Sequence, residues 1–331
     1  MKAAYNQGHT YRDRLTHLGI KIGIKSDVKS DINNPIDINN NLGAYADLIC
    51  NFYASRWPHS SIEDWQQRLS NGEIRCNGSY LEWRRPPWLE EAVPDKWDVI
   101  YDNNDLLVIN KPSGLPVLPA GGFLKHTLLE LLKKQFQADP NGLPKPVHRL
   151  GRFTSGLLVC ARSSESRAWL SALLRNHQSA NGCIKIYRAL LQQPAEGSPL
   201  LQLKPGIECQ LNTPIGLRPH GRLGTIWAAA SPQQKGALPA FSQLKLIETQ
   251  AAGWLVQLTI ATGRPHQIRI HCAAAGAPLV GDPLYKLGGL ACDQALPGDG
   301  GYQLHAHQLQ IPLANGEQLN LEAPLPKTLQ A

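Results

Sequence analysis

The chain has 331 residues, 42% of them hydrophobic and 18% charged, with a formal net charge of +7. This is the balance of a folded protein with material for one large or two smaller domains, and it excludes a disordered or fibrous chain. No run of about 18 apolar residues occurs, so nothing reads as a membrane-spanning helix.

The first residues, MKAAYNQGHTYRDRL, lack an apolar core of signal-peptide length, and the expected address is the cytoplasm. Residues 1–43 are polar and rich in Asn and Asp, so they are expected to form a loose extension. From Ala44 the pattern changes. Tyr45, Leu48, Ile49 and Phe52 recur at helical spacing, and a second helix is expected over 61–71 with Trp65 and Leu69 on one face. SNGEIRCNGSYLEW then reads as a glycine-containing turn and short strand alternation. Pro86, Pro87 and Pro94 break the chain, which places a small domain over 44–93 and a larger one over 94–331.

Beyond Pro94, residues 106–109 form an apolar strand ended by a Lys-Pro-Ser-Gly turn. TLLELLKKQFQ sets Leu128, Leu131, Leu132 and Phe136 on one helical face. Residues 147–162, VHRLGRFTSGLLVCAR, turn into a buried run over 157–160. A helix over 168–176 is expected to face Trp169, Leu170, Leu173 and Leu174 inward. KIYRALLQ and WLVQLTIAT alternate as strands. Pro265 suits the first turn of a helix, HQIRIHCAAA, that stops at Gly276. Strands interspersed irregularly with helices favour an α+β fold over a doubly wound sheet.

Seven widely spread cysteines without a CxxC pair argue against a disulfide framework and a zinc knuckle. His305 and His307 have no further ligand at close metal spacing, so no metal is expected. Neither nucleotide-loop motif, GxxxxGK[ST] or GxGxxG, is present, and GRFTSG is not a nucleophile elbow. Charge is unevenly placed. Between residues 140 and 190, eight basic residues (Lys145, Arg149, Arg152, Arg162, Arg167, Arg175, Lys185 and Arg188) face one acid, Glu165. Such a region attracts phosphate backbones.

Four segments in order, LLVINKPSGLPV, HRLGRFTSGLLV, KIYRALL and TGRPHQIRIHCAAAGAPLVGDPLY, resemble the RluA-type RNA pseudouridine synthases. LHAHQLQIPLANGEQLNLEAPLP resembles the C-terminal strands of that family, and the resemblance extends over about residues 98–326. It implies a pseudouridine-synthase fold, with a mixed, largely antiparallel central sheet flanked by helices and loops. It also implies that a uridine is flipped out of structured RNA, ribosomal or transfer, and its uracil detached, turned and rejoined through carbon 5. No cofactor is implied, no membrane, and a monomer acting on RNA. The 44–93 segment, with its G-x-I-x-x-N-G turn, resembles the alpha-L RNA-binding module often fused ahead of these synthases. Its basic helix is reduced to Gln66, Gln67 and Arg68, and a helical packing extension is the other reading of this segment.

By the same resemblance Gly151 stands where the family carries its nucleophilic aspartate. Tyr187 would stack on the uracil and help remove the proton from carbon 5, and Arg269 would partner the aspartate. Arg149 would insert into the RNA, with Arg152, Lys111, Arg264 and His266 as further RNA-binding residues and Leu279 and Val280 as an apolar wall. Duller readings stand beside these. Tyr187 can be core, Arg149 a phosphate contact alone, Arg269 a local cap or salt-bridge partner, Lys111 a turn residue, His148 a structural hydrogen-bonder, and Asp282 a turn or scaffold hydrogen-bonder.

A glycine can neither attack nor pair with an arginine. Arg269 is therefore expected to lack its carboxylate unless Asp282 or Glu208 enters the pocket. Two functions stay open: an RNA-modifying isomerase, and a non-catalytic RNA-binding relative acting in RNA folding or ribosome assembly. A carboxylate within reach of Arg269 and beside Tyr187 would favour the isomerase.

Overall fold

The computed structural model describes residues 1–18, 42–175, 183–313 and 317–331. They form two compact units. One comprises Ala4–Leu89 with Gly221–Gly224; the other comprises Met1–Ala3, Glu90–His220 and Thr225–Ala331.

The N-terminal unit contains β1 (Ala4–Tyr5), β2 (His9–Arg14), α1 (Ala46–Arg56), α2 (Ile62–Ser70), β3 (Ile74–Asn77) and β4 (Tyr80–Arg85). β2, β4 and β3 make an antiparallel sheet in that order. α2 starts on a capping box, in which the Ser61 hydroxyl and Asp64 carboxylate each accept the other residue's backbone N–H. The core is aromatic. Tyr53 and Trp65 stack with centroids 4.8 Å apart, and Trp83 meets Trp65 edge-on at 4.7 Å. The expected loose extension is corrected over its first 18 residues. β2 pairs with β4 along its whole length, Tyr11 stacks on Trp83 at 4.9 Å, and Leu15 and Leu18 are buried. Buried Asp13 offsets its desolvation by pairing with Arg56 at 3.2 Å. Residues 19–41 of that extension lie outside the described residues.

β5 (Leu89–Glu90) lies at the junction, where the first unit ends at Leu89, ahead of the expected 93/94 boundary. The larger unit continues with β6 (Asp98–Asp102), β7 (Leu106–Lys111), α3 (Leu128–Gln135), β8 (Lys145–Pro146), β9 (Thr154–Ala161), α4 (Ser164–Arg175) and β10 (Ile184–Leu191). Then follow β11 (Glu208–Leu211), β12 (Ile215–His220), β13 (Gly224–Ala229), β14 (Ser242–Gln250), β15 (Gly253–Ile260), α5 (Gln267–Ala274), β16 (Leu304–Pro312) and β17 (Gln318–Glu322). The central sheet has the order β11-β14-β15-β10-β16-β9-β7-β6, with β17 on β16 and β8 on β9. It is mixed and largely antiparallel. β16 and β9 run parallel, and Gly156 permits their approach: its φ is +100°, and an added Cβ would lie 2.2 Å from the Ala306 carbonyl oxygen.

Two helices differ from their expected limits. α4 begins at Ser164 because the Ser163 hydroxyl accepts the Ser166 N–H, and Trp169, expected inward, is exposed while Leu170, Leu173 and Leu174 are buried. α5 begins two residues after Pro265 because His266 is left-handed, with φ 54°. Gly276, at φ +89°, follows the end of α5. Apolar residues form one cluster around β7, β9, α3 and α4 and another around β10, β14, β15 and α5. Tyr187 packs against both. Among the described residues no helix is long and apolar enough to cross a membrane.

Candidate active site

Gly151 lies in the loop that leads into β9, and its φ is not positive, so the backbone does not demand glycine. The demand comes from a neighbour. A Cβ at 151 would lie 2.2 Å from the Tyr302 hydroxyl and 3.3 Å from the Thr154 hydroxyl. The Tyr302 ring is buried, Thr154 Oγ1 lies 3.4 Å from its hydroxyl, and Phe153 approaches it edge-on with centroids 6.0 Å apart. Tyr302 thus fills the space in which a side chain at 151 would start.

On its other side Tyr302 faces Arg269, whose guanidinium carbon sits 4.1 Å from the ring centroid; Tyr285 lies 5.1 Å from the same carbon. Arg269 is not without a carboxylate: of the two acids named from the sequence, Asp282 is the one that meets it. Its Nε and Nη2 donate to the two oxygens of Asp282, at 2.7 Å each, and Nη1 donates to the Pro297 carbonyl at 3.2 Å. Burial opposes the charge of Arg269, but hydrogen bonding and attraction to Asp282 hold it above its ordinary pKa. Asp282 Oδ1 also accepts the backbone N–H groups of Leu284 (2.9 Å) and Tyr285 (3.2 Å). With both oxygens engaged and the side chain fully buried, Asp282 is a structural partner, closed to attack on a substrate. Glu208, the other carboxylate considered, is exposed on β11 and bonds Gln243.

Tyr187 on β10 is half-buried and packs on the cluster that contains Leu279 and Tyr302. Burial, with a smaller contribution from Cys183, pushes its phenol up to about 12, so it is protonated at neutral pH. Val280 packs elsewhere, against Leu190, Leu255 and Leu329.

His266 Nδ1 lies 2.6 Å from the Tyr285 hydroxyl, which donates to the Trp227 carbonyl at 2.7 Å. The hydroxyl's proton being used, His266 Nδ1 must donate and Nε2 is left as an acceptor. Burial, then the Arg269 charge, pull this histidine down to about 3; Arg149 contributes to the same effect. His266 is therefore neutral and offers Nε2 as an acceptor rather than a positive charge. Arg264 donates from Nε to the Pro239 carbonyl at 2.9 Å and is half-buried.

Two further residues expected to bind RNA are engaged within the protein. Lys111 is fully buried, and its ammonium donates to the carbonyls of Pro112 (2.8 Å), Leu115 (2.9 Å) and Arg152 (3.0 Å). Burial and the Arg152 charge bring it down to about 7. Arg152 pairs with Glu91 at 2.7 Å, donates to the Gly114 carbonyl and lies over the Phe123 and Phe153 rings. Arg149 is exposed. The basic stretch is also less open than its composition suggests. Arg162 is buried between Asp102 (3.0 Å) and Asp139 (3.1 Å), and Lys185 donates to the Leu174 carbonyl at 2.9 Å. His148 accepts the Val159 N–H at 3.0 Å, and burial, with Lys185, lowers it to about 4, as befits a structural role.

Tyr302 and Tyr285 escaped sequence reasoning. Tyr302 stands in GDGGYQLHA, next to a recognised strand, but no spacing relates it to residue 151; only the fold joins them.

The larger unit has the architecture of the pseudouridine synthases. Human RNA pseudouridylate synthase domain containing 1 matches this chain with a TM-score of 0.51 at 24% identity, over 73% of this chain and 89% of that one. The model of the RNA pseudouridylate synthase family matches residues 105–274. A Synechocystis sp. protein named "uncharacterized RNA pseudouridine synthase" is 40% identical over 84% of this chain and 94% of its own length. RNA pseudouridine synthase 5 of Arabidopsis thaliana is 35% identical over 85% of this chain and 89% of its own. Ribosomal large subunit pseudouridine synthase D of Neisseria meningitidis is 32% identical over 70% of this chain and 59% of its own. The chain belongs to the RNA pseudouridylate synthase family.

Proposed function

We propose that the protein is an RNA pseudouridine synthase that isomerises uridine in structured RNA, ribosomal or transfer, acting as a cytoplasmic monomer. The observation that carries this reading is a chain of contacts between distant segments. Gly151 meets Tyr302, Tyr302 faces Arg269, Arg269 holds Asp282, and Tyr187 packs on the same cluster as Tyr302. In this reading exposed Arg149 enters the space left by the flipped base, and the Tyr187 ring, backed by Leu279, holds the uracil. The bond from C1′ to N1 breaks, a bond from C1′ to C5 forms, and the C5 proton is lost while N1 gains one. Protonated Tyr187 serves as a stacking and hydrogen-bonding group. Arg269 and Asp282 keep the pocket's shape and charge fixed.

A second reading is supported by the Gly151–Tyr302 contact itself. With a phenol where the carboxylate would begin and Asp282 fully engaged, the scaffold is suited to hold a flipped uridine without isomerising it. Mapping pseudouridine in total RNA from a strain lacking the gene separates the two. The first reading expects one or a few sites to vanish and to return with the wild-type gene. Unchanged sites, together with retained RNA binding by the purified protein, would overturn it in favour of the second.

A further inference from the structure

Within the N-terminal unit a cleft of about 360 Å³ opens at the edge of the aromatic core, lined among others by His59, Arg68, Glu73, Trp83, Arg85 and Trp88. Its volume is within the range of small-ligand sites. The guanidinium of Arg68 lies 4.3 Å from the Trp65 centroid and 5.3 Å from that of Trp83, and its Nη1 is buried with no hydrogen-bond acceptor. A buried charged N–H without an acceptor is costly, so the side chain gains by turning a guanidinium N–H toward an acceptor brought into the cleft.

Arg85, half-exposed, holds its guanidinium carbon 3.7 Å from the Trp88 ring centroid, and both residues line the cleft. The local charge is positive. Burial lowers the pKa of His59, and Arg68, Arg85 and Arg222 of the same unit lower it further against the single opposing influence of Asp64. The two nearby carboxylates are engaged: Glu73 accepts the Trp83 indole N–H at 3.2 Å and Asp64 accepts the Ser61 N–H at 2.9 Å. The outer face of α2 carries exposed Gln66 and Gln67, so the helix presents its cation through Arg68 on the inner side.

We infer that this cleft is a nucleotide subsite that takes one unpaired nucleotide of single-stranded RNA, its phosphate on Arg68 and its base against the Arg85–Trp88 pair. Arginine's planar fork matches a phosphate, and its plane stacks on any base, so the subsite tolerates all four bases. This rests on the reading of the protein as one that acts on RNA, but it concerns a site apart from the uridine pocket.

The test titrates the full chain with 5′-AMP, whose purine cannot serve as the uridine substrate, following tryptophan fluorescence. Adenosine and inorganic phosphate are titrated in parallel. Arg68→Gln and Arg85→Gln should each weaken 5′-AMP binding at least tenfold, and adenosine and phosphate should each bind more weakly than 5′-AMP. Equal 5′-AMP binding by wild type and both variants would overturn the subsite. If Arg68→Gln unfolds, Arg85→Gln decides alone, because its side chain is half-exposed. Pseudouridine formation is measured on the same preparations. Lost activity with arginine-dependent 5′-AMP binding would sink the proposed function and leave the subsite standing; the reverse pattern would sink the subsite alone.

Discussion

The hydroxyl of Tyr302 occupies the point from which a side chain at residue 151 would leave the backbone, 2.2 Å from an ideal Cβ there. Glycine and tyrosine are thus complementary, one supplying the space the other fills, and each should be tolerant of change only when the other changes too.

Gly151→Ala should destabilise the wild-type chain by about 1–3 kcal/mol, the usual cost of overpacking. In a Tyr302→Phe background the same change should cost less than about 1 kcal/mol, because the Cβ then meets the Thr154 hydroxyl at 3.3 Å and the ring carbon at 3.5 Å in place of a hydroxyl at 2.2 Å. Gly151→Asp alone should likewise gain no pseudouridine formation, whereas Gly151→Asp with Tyr302→Val has room for the carboxylate. Thermal unfolding of the four-member cycle checks the first claim. Equal costs of Gly151→Ala in both backgrounds would refute the complementarity.

Asp282→Asn should cost about 3–5 kcal/mol, since it leaves the buried Arg269 charge without its carboxylate. Urea denaturation reads this directly. A loss below about 1 kcal/mol would mean that Arg269 finds another partner.

Arg149 and Arg152 stand close in sequence and should behave differently. Arg149→Ala should weaken RNA binding and lower its salt slope by about one phosphate contact, without changing the melting temperature. Arg152→Ala should lower the melting temperature and leave the salt slope unchanged, because its guanidinium is spent on Glu91 and Gly114. Lys111→Met belongs with Arg152: it strands three carbonyls and should cost about 1–3 kcal/mol. Filter binding over a salt series, paired with thermal melts, separates the two kinds of residue; the opposite assignment would overturn the placement of the RNA face.

Acid should destabilise the fold below about pH 6.5. His271, bonded to Ser242 and the Thr213 carbonyl, and His305, bonded to Ser155, are both lowered to about 4, chiefly by burial. A folded-state pKa below the unfolded value means that the unfolded chain binds more protons between the two. Stability is therefore full above about pH 6.5 and lost as pH falls toward 4, by on the order of 2 kcal/mol per histidine at pH 5. Melting temperatures from pH 7.5 to 5 should fall, and His271→Gln should flatten the fall. A level profile in the wild type would count against the burial of these rings in neutral form.

What was legible in the sequence is what local pattern controls. The apolar run of β9 and the alternation of β10 and β15 depend on near neighbours, so the α+β class and the order of those elements could be read directly. Polar strand β2 was hidden, because His9–Arg14 becomes a strand only by pairing with β4, some 70 residues away in sequence. Charge counting misled for a related reason: the acids that neutralise Arg152 and Arg162 are Glu91, Asp102 and Asp139, all outside the basic stretch. The site divides in the same way. That residue 151 is glycine, and that Tyr187 and Arg269 lie in recognisable motifs, belongs to the sequence alone. That Tyr302 needs that glycine, and that Asp282 takes Arg269, is decided by how β9, β16 and α5 pack together, since excluded volume and ion pairing act through space.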